Sequence, residues 1–150
     1  MDKVDLQILS YLKENARMKA SDISKEINFS VSSVIERIKK LEKSGIIEKY
    51  TILLDEKKIG NEIIALTEVT LSDENAHYEF EKYISKNKNI LSCYYIAGDY
   101  DFLLKIKASN SETIEKTHRE IKGFKGIGNV KTNFSMREIK CEITSLPEED

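Results

Sequence analysis

Residues 30–47 of this chain read SVSSVIERIKKLEKSGII, and this stretch decides the fold of the N-terminal part. Ser30 is a favourable helix N-cap, because its hydroxyl can accept a hydrogen bond from the free N–H groups of the first turn. Gly45 can adopt the left-handed conformation that ends a helix, and Ile46 then lies where contact with Leu41 would complete a Schellman-type cap. The stretch therefore predicts one helix that begins after Ser30 and ends before Gly45.

The predicted helix has one apolar face and one polar face. Apolar side chains recur at helical spacing, so one stripe can be buried: Val31, Val34, Ile35, Ile38 and Leu41. Short hydroxyls and longer charged side chains occupy the opposite face: Ser32, Ser33, Glu36, Arg37 and Lys40. Hydroxyls near the helix start can reach DNA base edges, and Arg37 and Lys40 can reach phosphates. The alternative is a solvated helix face that binds nothing.

Two shorter helices are predicted before this one. Asp2 or Asp5 can begin the first, and the second runs from about residue 23 to residue 27 with Ser21 as a possible start. A tight turn at residues 28–30 leads into the third helix. Helix, short turn, helix is the arrangement by which many proteins place a recognition helix in the DNA major groove.

The hydrophobic pattern changes beyond the third helix. Residues 46–54 are rich in β-branched and apolar side chains and predict a strand or extended connector, and a polar break follows at residues 55–61. The remaining elements alternate as strand, helix, strand, strand, helix, strand, at about residues 63–71, 75–86, 90–96, 101–108, 111–122 and 129–137. This order is the ferredoxin-like βαββαβ unit.

The sequence therefore predicts an α+β protein of two parts. An N-terminal helix-turn-helix (winged-helix-like) domain occupies residues 1–47, and a connector strand and hinge occupies residues 48–61. A C-terminal ferredoxin-like βαββαβ domain, for ligand binding and oligomerisation, spans residues 62–140, and residues 141–150 form a solvated tail.

Composition excludes several classes of protein. Hydrophobic residues make up 40% of the 150 residues, enough for a core, but no apolar run approaches the roughly 18 residues of a membrane span. The N-terminus is no secretory signal, and Cys93 and Cys141 lie far apart without a CxxC motif, which argues against a zinc site or disulfide framework. We therefore expect a cytoplasmic protein without metal or cofactor.

The charge distribution permits contact with nucleic acid without demanding it. The net charge is −2, with a balance of +2 over residues 1–50 and −4 over residues 51–150. An indiscriminate nucleic-acid binder would carry a strong positive excess. We therefore expect contact with phosphates only through the N-terminal part.

Three motifs, in this order, resemble the Lrp/AsnC (feast/famine) family of transcription regulators. They are DLQILSYL at residues 5–12 with Ala16-Arg17, VIERIKKLEKSGII at residues 34–47 with Tyr50-Thr51, and AGDYDFLLK at residues 97–105. The resemblance covers about residues 2–140. It implies a non-enzymatic regulator that binds double-stranded DNA as a homodimer and assembles further, typically to an octamer, with a small effector, commonly an amino acid, between ligand domains of neighbouring dimers.

The resemblance and the helix pattern together predict the DNA-contacting residues. They are Arg17, Ser30, Ser32, Ser33, Glu36, Arg37 and Lys40. If Arg37 contacts a phosphate, its replacement by alanine weakens binding to every duplex and lowers the salt slope by about one. Lys19 departs from the family pattern, because the family often has a residue with a capping hydroxyl at this position, at the start of the second helix.

A turn between two strands predicts the effector site. The absence of a side chain at Gly98 lets a backbone N–H approach a ligand carboxylate, and Asp99 or Asp101 can face an α-ammonium group. Thr132 matches a family position near the same pocket and offers a hydroxyl, so the predicted effector-binding residues are Gly98, Asp99, Tyr100, Asp101 and Thr132. The alternative is a turn in which these residues serve backbone geometry alone.

Two other functions are compatible with the same architecture. Sirohaem decarboxylases resemble it, and His118-Arg119 is the one adjacent His/Arg pair such an enzyme could use. A nucleoid-type architectural protein, which wraps DNA with little sequence preference, is the other.

A cluster of three glycines does not indicate a dinucleotide site. Gly123, Gly126 and Gly128 follow a predicted helix and begin a strand, whereas a dinucleotide-binding loop follows a strand and begins a helix.

Overall fold

A computed structural model describes residues 1–147 and divides into two compact units. The first unit comprises residues 1–53 with the segment from Cys141 onward, and the second comprises Leu54–Lys140. Lys13 forms an ion pair with Glu142 at 3.0 Å, so part of the predicted tail packs with the helical unit. Residues 148–150 of that predicted tail lie outside the described residues.

The first unit contains the three predicted helices. They are α1 at Lys3–Glu14, α2 at Ala20–Glu26 and α3 at Val31–Lys43. Each helix contributes to a small core of buried side chains: Ile8, Ile23, Val34 and Leu41. The helix-turn-helix prediction is confirmed, and Asn28 takes a positive φ of 55° in the turn between α2 and α3.

Helix α3 begins and ends where the sequence predicts, but its packing differs in detail. The Ser30 hydroxyl accepts from Ser33 N–H, and Gly45 has a φ of +76°. Ile47, rather than Ile46, packs against the core, and its N–H donates to Leu41 O at 3.1 Å. Two members of the predicted buried stripe, Val31 and Ile35, are 42% and 40% exposed, because they lie to one side of the α3 face that buries Val34 and Leu41.

Within the described residues, the segment from residue 46 to residue 61 contains no strand, so the connector-strand prediction is not met in this chain. A strand needs a neighbour to accept its ladder hydrogen bonds, and none of the four strands that the structure describes pairs with this segment. Ile52 and Leu53 are 74% and 72% exposed. The Tyr50 hydroxyl donates to Glu42 Oε1 at 2.8 Å, which ties the connector to the end of α3.

The second unit is an antiparallel sheet with helices on one face, and the α+β prediction is confirmed. Its elements are β1 at Ile63–Leu71, α4 at His77–Lys86 after a short 3-10 turn, β2 at Ile90–Tyr95, β3 at Phe102–Ala108, α5 at Ser111–Lys122 and β4 at Ile127–Phe134. The strand order is β2-β3-β1-β4. The buried face carries a core of Phe80, Phe102, Leu104, Ile106, Ile114 and Ile121 with smaller neighbours.

Strand β4 begins two residues earlier and ends three residues earlier than predicted. Gly126, at a φ of +87°, lies against the 3-10 turn, where an added Cβ would come within 2.4 Å of Ala76 Cβ. Ser72 N–H donates to Gly126 O at 2.8 Å. This close approach allows strand pairing to begin at Ile127, opposite Leu71.

A β-bulge interrupts strand β1 near its end. The pairing of β1 with β4 shifts register between Val69 and Leu71, around Thr70. The Thr70 hydroxyl accepts from Asn129 N–H at 2.7 Å. Bulges redirect side chains at sheet ends and are common beside functional sites.

Neither a membrane-spanning helix nor a metal centre is found in the part of the chain that the structure describes. Each helix there is too short or too polar to cross a bilayer. The described His, Cys, Asp and Glu side chains also form no cluster of three or more that could hold a metal ion.

Candidate DNA interface and effector pocket

The outward face of α3 is polar, and its basic side chains lie in the C-terminal half of the helix. It lies opposite the buried Val34 and Leu41, and it carries Ser32, Glu36, Lys39, Lys40 and Lys43. Lys39 and Lys43 were not among the sequence-predicted contacts. Their spacing of four residues places them on the same side of α3 as Ser32. The helical period of the sequence could therefore have indicated them as DNA contacts.

The N-terminal end of α3 gathers three hydroxyls. Ser30 Oγ lies 3.1 Å from Ser32 Oγ and 2.7 Å from Ser33 Oγ, and it also accepts from Ser33 N–H at 3.2 Å. Ser30 is therefore occupied as a helix cap, while Ser32 is exposed on the outward face. Of the three, Ser32 is the hydroxyl that is best placed to meet a base edge.

The structure places Arg37 against the start of α1 instead of on the outward face. Its Nη1 donates to Asp2 Oδ2 and to Asp5 Oδ1, both at 2.7 Å. Its guanidinium carbon also lies 5.8 Å from the centre of the Phe29 ring, within cation–π range. The predicted phosphate contact by Arg37 therefore competes with two carboxylates that already bind the same nitrogen.

This ion-pair cluster shifts the pKa values of Asp2 and Arg37 in opposite directions. The N–H of Asp5 and then the Arg37 guanidinium hold the pKa of Asp2 below its usual value of 3.8. Hydrogen bonds to Asp2 and Asp5 raise the pKa of Arg37. Both shifts favour the charged forms of Asp2 and Arg37.

The other predicted DNA contact lies outside α3. Arg17 is exposed in the loop between α1 and α2, where its backbone N–H donates to Asn15 Oδ1 at 3.0 Å. Lys19 occupies the N-cap position of α2 and makes no side-chain capping bond there. Arg17 is therefore separate from the outward face of α3 along the chain, within the same unit.

A cavity of about 380 Å³ lies at the end of the sheet in the second unit. It is lined by Glu68, Thr70, Asp99, Tyr100, Asn129 and Lys131. Its strand residues point to the face of the sheet opposite the helices, because they alternate with buried positions. Lys131 Nζ lies 3.5 Å from Glu68 Oε2, so the cavity wall offers a cation and, with Asp99, two carboxylates.

The structure distinguishes the two candidate aspartates of the turn. Asp101 Oδ2 accepts from Leu71 N–H at 2.6 Å, and Asp101 N–H donates to Val69 O at 2.9 Å. Asp101 therefore closes the bulge in β1 and does not line the cavity. Asp99, which is exposed, is the aspartate at the cavity wall.

Two other predicted effector residues are not brought to the cavity as expected. Thr132 lies on the helix-covered face, where its Oγ1 is 2.9 Å from Thr67 Oγ1 and 2.8 Å from His118 Nδ1. Strand alternation explains this, since the adjacent Lys131 takes the opposite face. Gly98 has open space at its Cβ position and no positive φ, so nothing within the chain requires glycine there.

The His118-Arg119 pair does not converge on one site. His118 faces the threonines of β1 and β4, whereas Arg119 pairs with Glu115 at 3.6 Å on the exposed side of α5. His77 lies 3.5 Å from Glu81 and contacts the rings of Tyr95 and Phe102. Both histidines thus have structural partners.

Family models match both units of the chain. The model described as "Lrp/AsnC ligand binding domain" matches residues 64–144, and the model described as "Winged helix-turn-helix DNA-binding" matches residues 1–48. The HTH-type transcriptional regulator LrpC of Bacillus subtilis is 40% identical over 116 residues, which cover 77% of this chain and 79% of that protein.

Solved structures are similar over almost the whole chain. The structure of B. subtilis LrpC has a TM-score of 0.83 at 32% identity and covers 93% of this chain and 97% of its own. A transcriptional regulator of Neisseria meningitidis in complex with L-Met has a TM-score of 0.91 at 28% identity, covering 98% of this chain and 96% of its own. The chain therefore belongs to the Lrp/AsnC family of DNA-binding transcriptional regulators.

Proposed function

We propose that this regulator responds to an amino acid that binds in the cavity between Asp99 and Lys131. The observation that carries the proposal is the pairing of opposite charges on the wall of one cavity of about 380 Å³. A free amino acid carries an anionic and a cationic group a few ångströms apart, so it needs a site of this kind. The L-Met complex of the related Neisseria regulator supports the ligand class.

The contacts of such a ligand follow from the charges. Lys131 is the cation for the α-carboxylate, and Asp99 is the anion for the α-ammonium group, with Glu68 nearby. Lys131 is paired with Glu68 at 3.5 Å, so an arriving carboxylate shares or replaces that partner. Tyr100 and Thr70 line the remaining wall and contribute polar groups.

On the DNA, we propose that the outward face of α3 enters the major groove. Ser32, Ser33 and Glu36 lie toward its N-terminal half, which in helix-turn-helix proteins meets base edges. Lys39, Lys40 and Lys43, together with Arg17, supply charge for phosphates. A homodimer then presents two such helices to successive major grooves about 34 Å apart.

Further assembly, to an octamer, is part of the proposal. Effector binding can shift assembly or helix spacing only by the difference between its affinities for the two states. We propose that the protein acts through binding alone, without catalysis, in the cytoplasm where the chromosome lies. It consequently needs no cofactor.

A ligand screen tests the effector proposal directly. The full-length protein is titrated with each of the twenty amino acids by calorimetry, and binding fragments of genomic DNA are selected with and without the amino acid that binds. We expect Asp99→Asn and Lys131→Ala each to weaken effector binding at least about tenfold. Thr132→Val is the matched control, because Thr132 lies on the other face of the sheet and should leave affinity unchanged.

The variants test whether the effector binds in the cavity or on the other face of the sheet. An unchanged affinity in both Asp99→Asn and Lys131→Ala would contradict the proposed site. If instead Thr132→Val abolished binding while the cavity variants did not, the ligand would bind on the helix-covered face.

A further inference from the structure

The cluster of Asp2, Asp5 and Arg37 uses every oxygen of its two carboxylates. Asp2 Oδ1 accepts from Asp5 N–H at 2.9 Å, and Asp5 Oδ2 accepts from Asp2 N–H at 3.0 Å, which forms the capping box of α1. The remaining oxygen of each carboxylate accepts from Arg37 Nη1 at 2.7 Å. The guanidinium thus binds a pair of carboxylates that the first turn of α1 has already fixed.

The same guanidinium also contacts the turn before α3. Its carbon lies 5.8 Å from the Phe29 ring centre, and Phe29 precedes the N-cap of α3. Arg37 lies in the middle of α3. One side chain therefore joins the beginning of α1, the turn after α2 and the centre of the recognition helix.

Charge argues against a phosphate contact by this group. Two carboxylates and one guanidinium give the cluster a net charge of −1, so a phosphate approaching Arg37 also meets Asp2 and Asp5. The side chain of Asp5 is 10% exposed, and that of Arg37 is 30% exposed. By contrast, Lys39, Lys40 and Lys43 are exposed on the face opposite the core, where cations can reach a duplex at lower desolvation cost.

We propose that Arg37 is a positioning residue, which fixes the orientation of α3 against α1 through Asp2 and Asp5, while the exposed lysines of α3 bind the phosphates. Among the described residues, Ile8 is the one apolar side chain of α1 that is fully buried, and Val4, Leu9, Tyr11 and Leu12 pack partly buried around it. Such apolar contacts are non-directional and do not by themselves fix the angle between α1 and α3. A charge-assisted bond to two fixed acceptors is directional and removes that freedom. Base readout requires a fixed angle, whereas attraction to phosphates does not.

The two possible roles of Arg37, phosphate contact and positioning, predict different results when Asp5 is substituted instead of Arg37. Asp5→Asn keeps the shape of the side chain and leaves the positive charge of Arg37 in place. If Arg37 binds phosphate, Asp5→Asn frees it and strengthens binding to any duplex. If Arg37 positions α3, Asp5→Asn weakens the discrimination between the preferred duplex and a scrambled one.

The experiment uses full-length protein, one duplex selected by the wild type from a random library, and a scrambled duplex of the same composition. Dissociation constants are measured over a range of salt concentrations, well below the midpoint of thermal unfolding and with folding verified by circular dichroism. We expect Arg37→Gln and Asp5→Asn each to reduce the ratio of the two constants at least about tenfold, with an unchanged salt slope on the scrambled duplex. The double variant should be no worse than either single variant.

Lys40→Gln is the matched control for a phosphate contact. We expect it to lower the salt slope by about one and to leave the ratio of constants unchanged. Asp2→Asn, whose side chain is 55% exposed, is the milder variant should Arg37→Gln fail to fold, and it should reduce the ratio in the same direction. The proposal is overturned if Arg37→Gln lowers the salt slope by about one, or if Asp5→Asn and Asp2→Asn keep full discrimination.

Discussion

The two units of the molecule hold their elements together with different polar chemistry. In the helical unit, full charges do this: Arg37 joins helices through Asp2 and Asp5. In the sheet unit, the corresponding connection between helix and sheet runs from His118 through Thr132 to Thr67. Some charged side chains of that unit pair beside β3, where Lys107 binds Glu56 and Glu138, and others line the cavity. A charged cluster therefore joins two helices in the helical unit, whereas hydroxyl and imidazole groups join α5 to the sheet in the other unit, whose cavity keeps charges of both signs.

Core size gives a reason for this difference. Among the described residues, four buried apolar side chains form the core of the helical unit and ten form that of the sheet unit. A small core supplies little burial free energy, so polar connections contribute a larger share of stability. The helical unit should therefore be the more sensitive one to every change of packing, pH or salt.

The largest expected effect tests this difference in core size. Ile23 and Ile106 are both fully buried, one in each unit. Truncation of either to alanine is expected to cost about 2–5 kcal/mol. We expect Ile23→Ala to unfold the helical unit near room temperature, whereas Ile106→Ala leaves the sheet unit folded with a lower melting temperature.

Hydrogen exchange resolved by peptide is the measurement, because it reports each unit separately. The conservative Ile23→Val and Ile106→Val serve as controls and should cost about 0.5–1.5 kcal/mol each. Simultaneous loss of protection in both units of Ile23→Ala would show that the units unfold together. It would contradict the expectation that the helical unit alone is sensitive because of its smaller core.

Most of the fold could be predicted from local patterns. Strand β1 and helix α5 have the predicted bounds, because the β-branched and apolar composition of β1 and the 3.6-residue period of α5 are properties of the segments themselves. The bounds of β4 depend on the contact of Gly126 with the 3-10 turn around Ala76, which lies fifty residues away in sequence. The connector has strand composition but pairs with none of the strands described in residues 1–147, and composition alone cannot show that.

The site residues were less predictable, for a related reason. Arg37 and Asp101 have the residue types expected of ligand contacts, but each is occupied by a partner distant in sequence, Asp5 and Leu71 respectively. Lys131 lies at the cavity because strand alternation directs it to that face of β4, and Asp99 lies there because the loop between β2 and β3 brings it to the same end of the sheet. The sequence shows which groups can bind, whereas only the tertiary contacts show which are already bound.

Substitutions at two glycines test whether glycine is required by the backbone conformation or by a lack of space for a side chain. Gly45 has a φ of +76° with nothing within 4 Å of its Cβ position, and Gly98 has open space and no positive φ. We expect Gly45→Ala to destabilise the helical unit by about 1–2 kcal/mol, since an L side chain disfavours the left-handed region. Gly98→Ala should change stability by less than about 0.5 kcal/mol.

Thermal unfolding followed by circular dichroism measures both variants, and Gly45→Asn is the control. Asparagine tolerates the left-handed region better than alanine, as Asn28 does in this chain at a φ of 55°. Gly45→Asn should therefore recover part of the loss. A cost at Gly98 equal to that at Gly45 would mean that a contact beyond the single chain crowds the turn.

The smallest expected effect is a pH dependence that distinguishes the two units. Asp2 begins α1 and Asp73 begins the 3-10 turn, and both pKa values lie below 3.8, chiefly because a backbone N–H donates to each carboxylate, from Asp5 and from Asn75 respectively. A lowered folded pKa stabilises the protein above 3.8, and the stabilisation is lost as pH falls through the folded pKa. Of these two aspartates, only Asp2 also binds a guanidinium, that of Arg37.

Between pH 6 and pH 2.5, we therefore expect Asp2→Asn to flatten the pH dependence of stability in the helical unit more than Asp73→Asn does in the sheet unit, as measured by hydrogen exchange. Equal flattening would mean that the capping N–H, and not the arginine, sets the acid sensitivity of this helix, and that charge holds α1 to α3 less firmly than the distances indicate.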